Sequence, residues 1–415
     1  MAEADWTWMI YLATHNNAAE VGEESVARMR QAALNERVRV LVQQATPERT
    51  VRRVIGASPE LAADLGQIDS GAPDALLDFV GWAAAAAPAR RYALVLWSHG
   101  SGWAPKEIER LAQGAPTSVP LTAAELQQRG AADTAGQVFF SSALRELIAK
   151  PTPADRAIAF DDGSGHSLDT VELGRVVGRA ARALGRPLDL VGMNACQMSN
   201  AEVAYQLRGN AEVYVASAED MPVYGWPYED ILSRLAAQPA MDAAAVGRLA
   251  VERYCAHFRE NPLPWGQDGL PDGVTLTALR LDGIPALAGA VSDLAAALRA
   301  GIDDMAGAVW AAQRATHAFK FQLYDLAGFC RALPSAQGAT ADAAHAAGRV
   351  LAALSDADLL LASAHVGAAY DAVGGLTTYM LPPGEGALSP YYAATAYAQH
   401  TGWGEFLAAY HAALG

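Results

Sequence analysis

The chain has 415 residues, enough for one large domain or two to three ordinary ones, and 52% of them are hydrophobic. Its net charge of −15 argues against nucleic acid or an anionic membrane as the main partner, because both require a basic surface. A mean hydropathy of +0.08 is that of a soluble protein with a substantial core, and no apolar run is expected to span a membrane. Cys196, Cys255 and Cys330 cannot build a disulfide framework and have no metal-ligand spacing, which fits a reducing compartment. The start, Met1-Ala2-Glu3-Ala4-Asp5, is acidic and runs directly into an apolar stretch without the pattern of a signal peptide. The expectation from these features is a cytoplasmic protein; a monomer is favoured with the oligomeric state left open, and no cofactor is expected, with calcium as the alternative.

Short apolar runs alternate with helical patterns, the signature of a doubly wound α/β sheet. Strands are predicted near Trp8–Ala13, Arg37–Gln44, Tyr92–Trp97, Asp189–Ala195, Glu212–Ser217 and Val274–Leu281. A helix is predicted over Asp169–Leu184. Asp169 and Glu172 form a capping-box pattern, Leu173, Val176, Val177, Ala180 and Leu184 make its apolar stripe, and Gly185 and Pro187 end it. Between Trp103 and Arg156 the pattern breaks at Pro105, Pro116, Pro120, Gly130, Pro151 and Pro153, which reads as an exposed insertion over 104–156. From about residue 285 the chain is Ala-rich and helical up to a strand at Gly375–Leu381. The expected division is therefore 1–284 with its insertion, followed by a mainly helical region, 285–415, that packs on the sheet.

Two strand ends carry chemistry. The run Tyr92–Trp97 delivers Ser98-His99-Gly100-Ser101-Gly102-Trp103, and Asp189–Met193 delivers Asn194-Ala195-Cys196-Gln197 just before a helical segment. In a parallel sheet both ends lie on the edge where open α/β folds place their sites. A cysteine at a helix N-terminus is expected to favour the thiolate. Cys196 is thus the candidate nucleophile and His99 its acid/base partner. Gly100 and the backbone N–H of Cys196 are the candidate oxyanion hole, since a glycine lets backbone donors approach the developing charge. Cys255 and Cys330 lie in helical patterns and read as core residues. There is no Gly-x-Ser-x-Gly elbow for a serine hydrolase, and the His-Gly-Ser-Gly segment lacks the lysine of a phosphate loop.

These blocks resemble the clostripain-like cysteine peptidases, in the broad group of caspases, gingipains, legumains and separase. The resemblance runs from Trp8–Ala13 with Asn16-Asn17, through Leu96–Trp103, Val191–Met198 and Glu202–Leu207. It continues with Ala216–Glu219, Tyr224–Tyr228, Asp325-Leu326 and Gly375–Tyr379, and ends at Trp403 and Phe406-Leu407. It implies a caspase-like, mostly parallel sheet in an α/β/α sandwich, where periodicity alone allows any Rossmann-like arrangement. It implies a cysteine endopeptidase acting on peptide or protein through an acyl-enzyme, with basic (Arg or Lys) P1 selectivity and self-cleavage within 104–156. Members are often exported and some require calcium, but no Asp/Glu spacing of a calcium loop is present here.

One departure bears on selectivity. The family typically carries Asp two residues before the cysteine, an acid thought to hold a basic P1 chain, and here Asn194 stands in its place. Glu219 and Asp220, after the next strand, are the expected substitutes, with a small or polar P1 residue as the rival outcome. Trp226, Tyr228 and Tyr224 read as walls of a substrate cleft or as packing. The turn Asp161-Asp162-Gly163-Ser164-Gly165-His166 reads as a solvated hairpin rather than a cation site, and His15 as a residue satisfying loop backbone. The alternative to an enzyme is a catalytically idle caspase-like module that binds peptides or a partner. Such a module has no chemical reason to retain both His99 and Cys196.

Overall fold

Ala4–Ala13 are buried without interruption, and this continuous apolar run is what a strand covered on both faces demands. In the computed structural model, which describes residues 3–103, 158–159, 161–164, 166–267, 270–386, 388–389 and 392–414, it is the first strand of the central sheet. The order is β1 (Ala4–Ala13), α1 (Ala19–Gln31), β2 (Val38–Ala45), β3 (Thr50–Val54), β4 (Leu61–Asp64), α2 (Pro73–Ala86) and β5 (Ala89–Trp97). There follow α3 (Thr170–Leu184), β6 (Leu188–Asn194), α4 (Ala201–Leu207), β7 (Ala211–Ala216), α5 (Tyr228–Ala237), α6 (Ala243–Glu260) and β8 (Val274–Arg280). The last part holds α7 (Ile284–Ala300), α8 (Ile302–Arg314), β9 (Leu323–Asp325), α9 (Leu326–Ala332), α10 (Ala341–Leu354), β10 (Leu360–Val366), β11 (Thr377–Tyr379), α11 (Ala396–Thr401) and α12 (Trp403–Leu414).

Nine strands form one sheet in the order β10-β8-β7-β6-β5-β1-β2-β3-β4. The five central strands from β7 to β2 are parallel, and antiparallel pairs extend the sheet at both edges. Alternation along each strand divides the core. Trp6, Trp8, Ile10 and Leu12 of β1, with Val95 and Trp97 of β5, face the layer of α1, α5 and α6. Met9, Tyr11, Leu94 and Leu96 face α2, α3, α4 and the C-terminal helices. The result is the three-layer α/β/α arrangement.

The six predicted strands are all present, β1 beginning earlier because Asp5, Trp6 and Thr7 are also buried. The helix at α3 has the predicted capping box, and Gly185 ends it in the left-handed conformation (φ 71°). Three strands of the main sheet have no sequence signal of that kind. β3 carries Arg52 and Arg53, β4 is mostly exposed, and β10 mixes small and polar residues, so none shows the apolar run of a central strand. β10 comes from the region after 284, so that region both covers the sheet and extends it. The strand predicted at Gly375–Leu381 contracts to β11, which pairs with β9 in a separate two-stranded sheet. Among the described residues one helical segment, Leu281–Ala300, is long and apolar enough to cross a membrane by length and composition, contrary to expectation. Here Leu287, Val291, Leu294 and Leu298 of α7 lie in the core.

Candidate active site

The C-terminal ends of β1, β5, β6 and β7 lie side by side on one edge of the sheet, and the direction of winding reverses between β1 and β5. β5 and β6 pair with Trp97 opposite Asn194. His99 and Cys196, each two residues further on, therefore leave the sheet in matching positions. Gly100 closes the contact: a Cβ there would stand 2.4 Å from the Cys196 carbonyl oxygen and 3.1 Å from its nitrogen. Only glycine allows the two loops this approach, so the candidate oxyanion-hole residues, Gly100 and Cys196, meet backbone to backbone.

Cys196 is buried, and its Sγ accepts the backbone N–H of Met221 at 3.2 Å. Burial first and the Asp220 charge second push its thiol well above the usual range. The expected thiolate at a helix end is not found. α4 begins at Ala201 and is capped by Asn200, whose side chain accepts the Val203 N–H, so Cys196 lies in a turn before the helix. His99 is also buried, with Nε2 3.1 Å from Asn17 Oδ1. Burial lowers its pKa to about 4, so both members are neutral near pH 7. With Asn17 assigned as acceptor, Nε2 carries the imidazole proton and Nδ1 is the accepting nitrogen.

On one flank of Cys196 a small cleft is lined by Trp97, His99, Asn194, Met221, Pro222 and Gly225, none of them a carboxylate. Asn194 donates from Nδ2 to Tyr228 Oη at 3.1 Å. Gly225 has φ +63°, and a Cβ there would lie 2.6 Å from the Asn194 amide, so this wall also requires glycine. Tyr228 and Trp226 are fully buried; they back the cleft instead of facing solvent. Trp226 lies over Gly192, where a Cβ would come within 2.6 Å of its ring. Tyr224 is stacked on His257 with ring centres 3.9 Å apart, and the Arg28 guanidinium lies 4.1 Å from its centre.

On the other flank are the two acids, and each carboxylate oxygen has a partner. Glu219 Oε1 accepts from the Asp220 N–H at 2.7 Å and from Gln197 Nε2 at 3.3 Å, and its Oε2 accepts from Tyr370 Oη at 2.9 Å. Asp220 Oδ1 accepts from Gln197 Nε2 at 3.1 Å, and its Oδ2 pairs with Lys320 Nζ. Burial, and then the charge of Asp220, push the Glu219 carboxyl up to about 7. The turn is pinned to β8: Thr275 Oγ1 accepts the N–H groups of Ala218 (3.0 Å) and Glu219 (3.2 Å).

The remaining candidates are accounted for elsewhere. Asp161 is buried, not solvated, and accepts from Ser70, Gly163 and Ser164 while pairing with His15 at 3.1 Å. Cys255 and Cys330 are core residues of α6 and α9. Among the described residues no three His, Cys, Asp or Glu side chains converge to hold a metal ion. The insertion 104–156, with its basic residues, lies outside the described residues.

Several residues at the site were given no role by the sequence, although Gln197, Glu202 and Gly375–Tyr379 lie within the blocks of resemblance. Gln197 adopts a left-handed conformation (φ 61°), costly for a non-glycine, and ties the nucleophile turn to both acids. The C-terminal region grips the same turn: Thr377 N–H donates to Ser199 O at 3.0 Å, and Ser199 Oγ donates to Gly375 O at 2.7 Å. Glu202 Oε1 then accepts from Thr378 Oγ1, Tyr379 N–H and Tyr392 Oη. Lys320 and Tyr370 complete the acid flank. The one available signal was Lys320 itself, one of three lysines in the chain, set among aromatic residues at His317–Tyr324.

A search of curated proteins finds no match. Solved structures match nearly the whole chain in fold. One is a secreted C11 cysteine protease from Bacteroides thetaiotaomicron in complex with an irreversible peptide inhibitor, with TM-score 0.67, 17% identity, and 97% of this chain and 100% of that one covered. Another is a secreted C11 cysteine protease, iotapain, from the same organism, with TM-score 0.67, 13% identity, and coverage of 96% and 100%. A third is an inactive zymogen C11 protease from Parabacteroides distasonis, with TM-score 0.62, 16% identity, and coverage of 97% and 99%. The expectation of a cytoplasmic protein is corrected by the first two, which are secreted. Free thiols were weak grounds for it, because a chain with a core of this size needs no disulfides in either compartment. The sequence profile of the clostripain family matches residues 143–410, which include Cys196, both acids and Lys320. The chain belongs to the clostripain family of cysteine peptidases.

Proposed function

We propose that the chain hydrolyses peptide bonds internally in its substrates with Cys196 as nucleophile and His99 as acid/base, and that it takes an uncharged P1 residue. The in-register departure of His99 and Cys196 from β5 and β6, closed by the Gly100 contact, is the observation that carries the dyad. Among the described residues no carboxylate lines the cleft beside His99, which supports the P1 reading. A buried guanidinium without a counter-charge is costly, and Asn194 supplies only an amide already engaged with Tyr228.

The Sγ proton passes to the imidazole as sulfur attacks the carbonyl carbon. The C=O pair moves to oxygen, where the N–H groups of Gly100 and Cys196 stabilise it. Collapse of the tetrahedral adduct breaks the C–N bond, and the imidazolium protonates the leaving amine. Water, deprotonated by His99, then attacks the thioester and releases the acid and the thiol. Neutral resting partners fit this order, because burial raises the thiol and lowers the imidazole.

The test is a P1-diverse peptide library incubated with wild type and Cys196→Ala, with mass spectrometry of peptides and protein. Cleavage after uncharged residues by wild type alone is the expected result. Cleavage after Arg or Lys keeps the dyad and overturns the P1 reading. An intact library together with an uncut 104–156 segment in both samples would favour a peptide-binding module without hydrolysis. A segment cut only when Cys196 is present would identify self-processing.

A further inference from the structure

We propose that Lys320 is a selectivity-determining residue, a built-in cation seated on the acid pair that a basic substrate side chain would otherwise reach. The inference rests on the reading of Cys196 as nucleophile. Asp220 is one residue from Met221, which both lines the cleft and donates to Cys196 Sγ. The acids therefore stand next to the reacting atom, yet they are shut off from the cleft. Their buried neutral partners, Gln197 and Tyr370, hold three of the four carboxylate oxygens. The fourth, Asp220 Oδ2, is held by Lys320, whose side chain is 45% exposed. A half-exposed ammonium on a flexible stem is the displaceable member of this group.

Backbone geometry fixes where Lys320 starts. It opens a tight turn in which Phe321 (φ 59°) and Gln322 (φ 52°) are both left-handed. The Phe319 N–H donates to Leu323 O at 2.7 Å, and the Met380 N–H to Gln322 O at 2.9 Å. The Phe319 ring stacks on Tyr370 with centres 6.3 Å apart and planes 9° apart, so one tyrosine braces both the lysine turn and Glu219. Asp220 Oδ2 cannot serve both Lys320 and an incoming guanidinium. A P1 chain in the cleft beside His99 meets Met221, next to Asp220. Lys320 denies it that carboxylate, and removing Lys320 should let a basic P1 chain reach past Met221 to Asp220.

The experiment measures binding and hydrolysis separately. Calorimetric titration of Nα-acetyl-argininamide into Cys196→Ala and into Cys196→Ala/Lys320→Met is expected to give a Kd at least tenfold lower for the second. Nα-acetyl-alaninamide should not discriminate between them. Adding Asp220→Asn should abolish the gain, and Lys320→Gln, which keeps a donor but no charge, should reproduce its direction. Equal affinities, or a gain that survives Asp220→Asn, would overturn the proposal. With Cys196 intact, Lys320→Met should raise the Arg-over-Ala P1 ratio in kcat/KM about tenfold, mainly through KM. Failure of every variant to hydrolyse peptides would sink the peptidase reading, while the titration would still decide the role of Lys320.

Discussion

The two flanks of Cys196 are built from the same strand edge and have opposite character. On the His99 side the described residues that wall the cleft, among them Trp97, Asn194, Met221 and Gly225, carry no charge. On the Gln197 side an ammonium, an amide N–H and a phenol pair with the two carboxylates, while Gln197 Oε1 has no partner among the described residues. A buried charge survives only when paired, so a flank that carries charge is closed by its own partners. An uncharged flank has no such need and can remain a cleft. The most drastic way to break the comparison is to remove the group both flanks share. Cys196→Ala should lower peptide hydrolysis by at least ~10⁴-fold, and His99→Ala by ~10³-fold, with unchanged thermal unfolding for the cysteine variant. A Cys196→Ala protein that retained activity would move the nucleophile elsewhere.

Gly100→Ala attacks the junction between His99 and Cys196 without touching either side chain. Its Cβ would fall 2.4 Å from a carbonyl oxygen, so backbone must shift. We expect ~10²-fold lower kcat, because small misplacements of a reacting group are costly, and ~1–3 kcal/mol of lost stability from overpacking. Active-site titration with an irreversible thiol reagent, alongside urea unfolding, would separate the two effects. Full activity in this variant would mean that the Gly100 contact does not position the dyad.

Asn194→Asp sharpens the contrast by placing a carboxylate on the uncharged flank. Tyr228 can donate to the new acid, so the fold should tolerate it. The Arg-over-Ala P1 ratio in kcat/KM should rise roughly tenfold, the size of one partly desolvated charge-assisted contact. An unchanged ratio would show that P1 does not enter the cleft beside His99.

What could be read from the sequence follows from what leaves a local trace. Continuous apolar runs mark β1, β5, β6 and β7, because strands covered on both faces must be apolar throughout. His99 and Cys196 could be placed because each directly follows such a run. The edge strands β4 and β10, and β3 next to β4, mix exposed, small or charged residues and show no such pattern. Lys320 and Tyr370 reach Asp220 and Glu219 across 100 and 151 positions of chain, and separations of that size appear only once the chain is folded. The thiolate expectation failed for a related reason. Local order suggested a helix end, but Cys196 lies in a turn held by Met221 and packed into the core.

The finest contrast between the flanks is in how they titrate. His99 is lowered from 6.5 to about 4 by burial, so between those values the unfolded chain takes up a proton that the native state refuses. Stability from this group therefore rises with pH across that window and is lost on acidification. Glu219 is raised from 4.5 to about 7 by burial and Asp220, so there the native state keeps a proton that the unfolded chain has released. Its contribution falls as pH rises. Between pH 4.5 and 6.5 the two slopes oppose each other, each about 1.4 kcal/mol per pH unit at most, and largely cancel. Single variants should unmask them in urea unfolding followed from pH 4.5 to 6.5. Relative to wild type, His99→Gln should lose a rise of stability with pH, and Glu219→Gln should lose a fall. Two variants whose slopes matched wild type would mean that neither group is held away from its ordinary pKa. Slopes of the same sign would mean that the flanks do not differ in the way their burial requires.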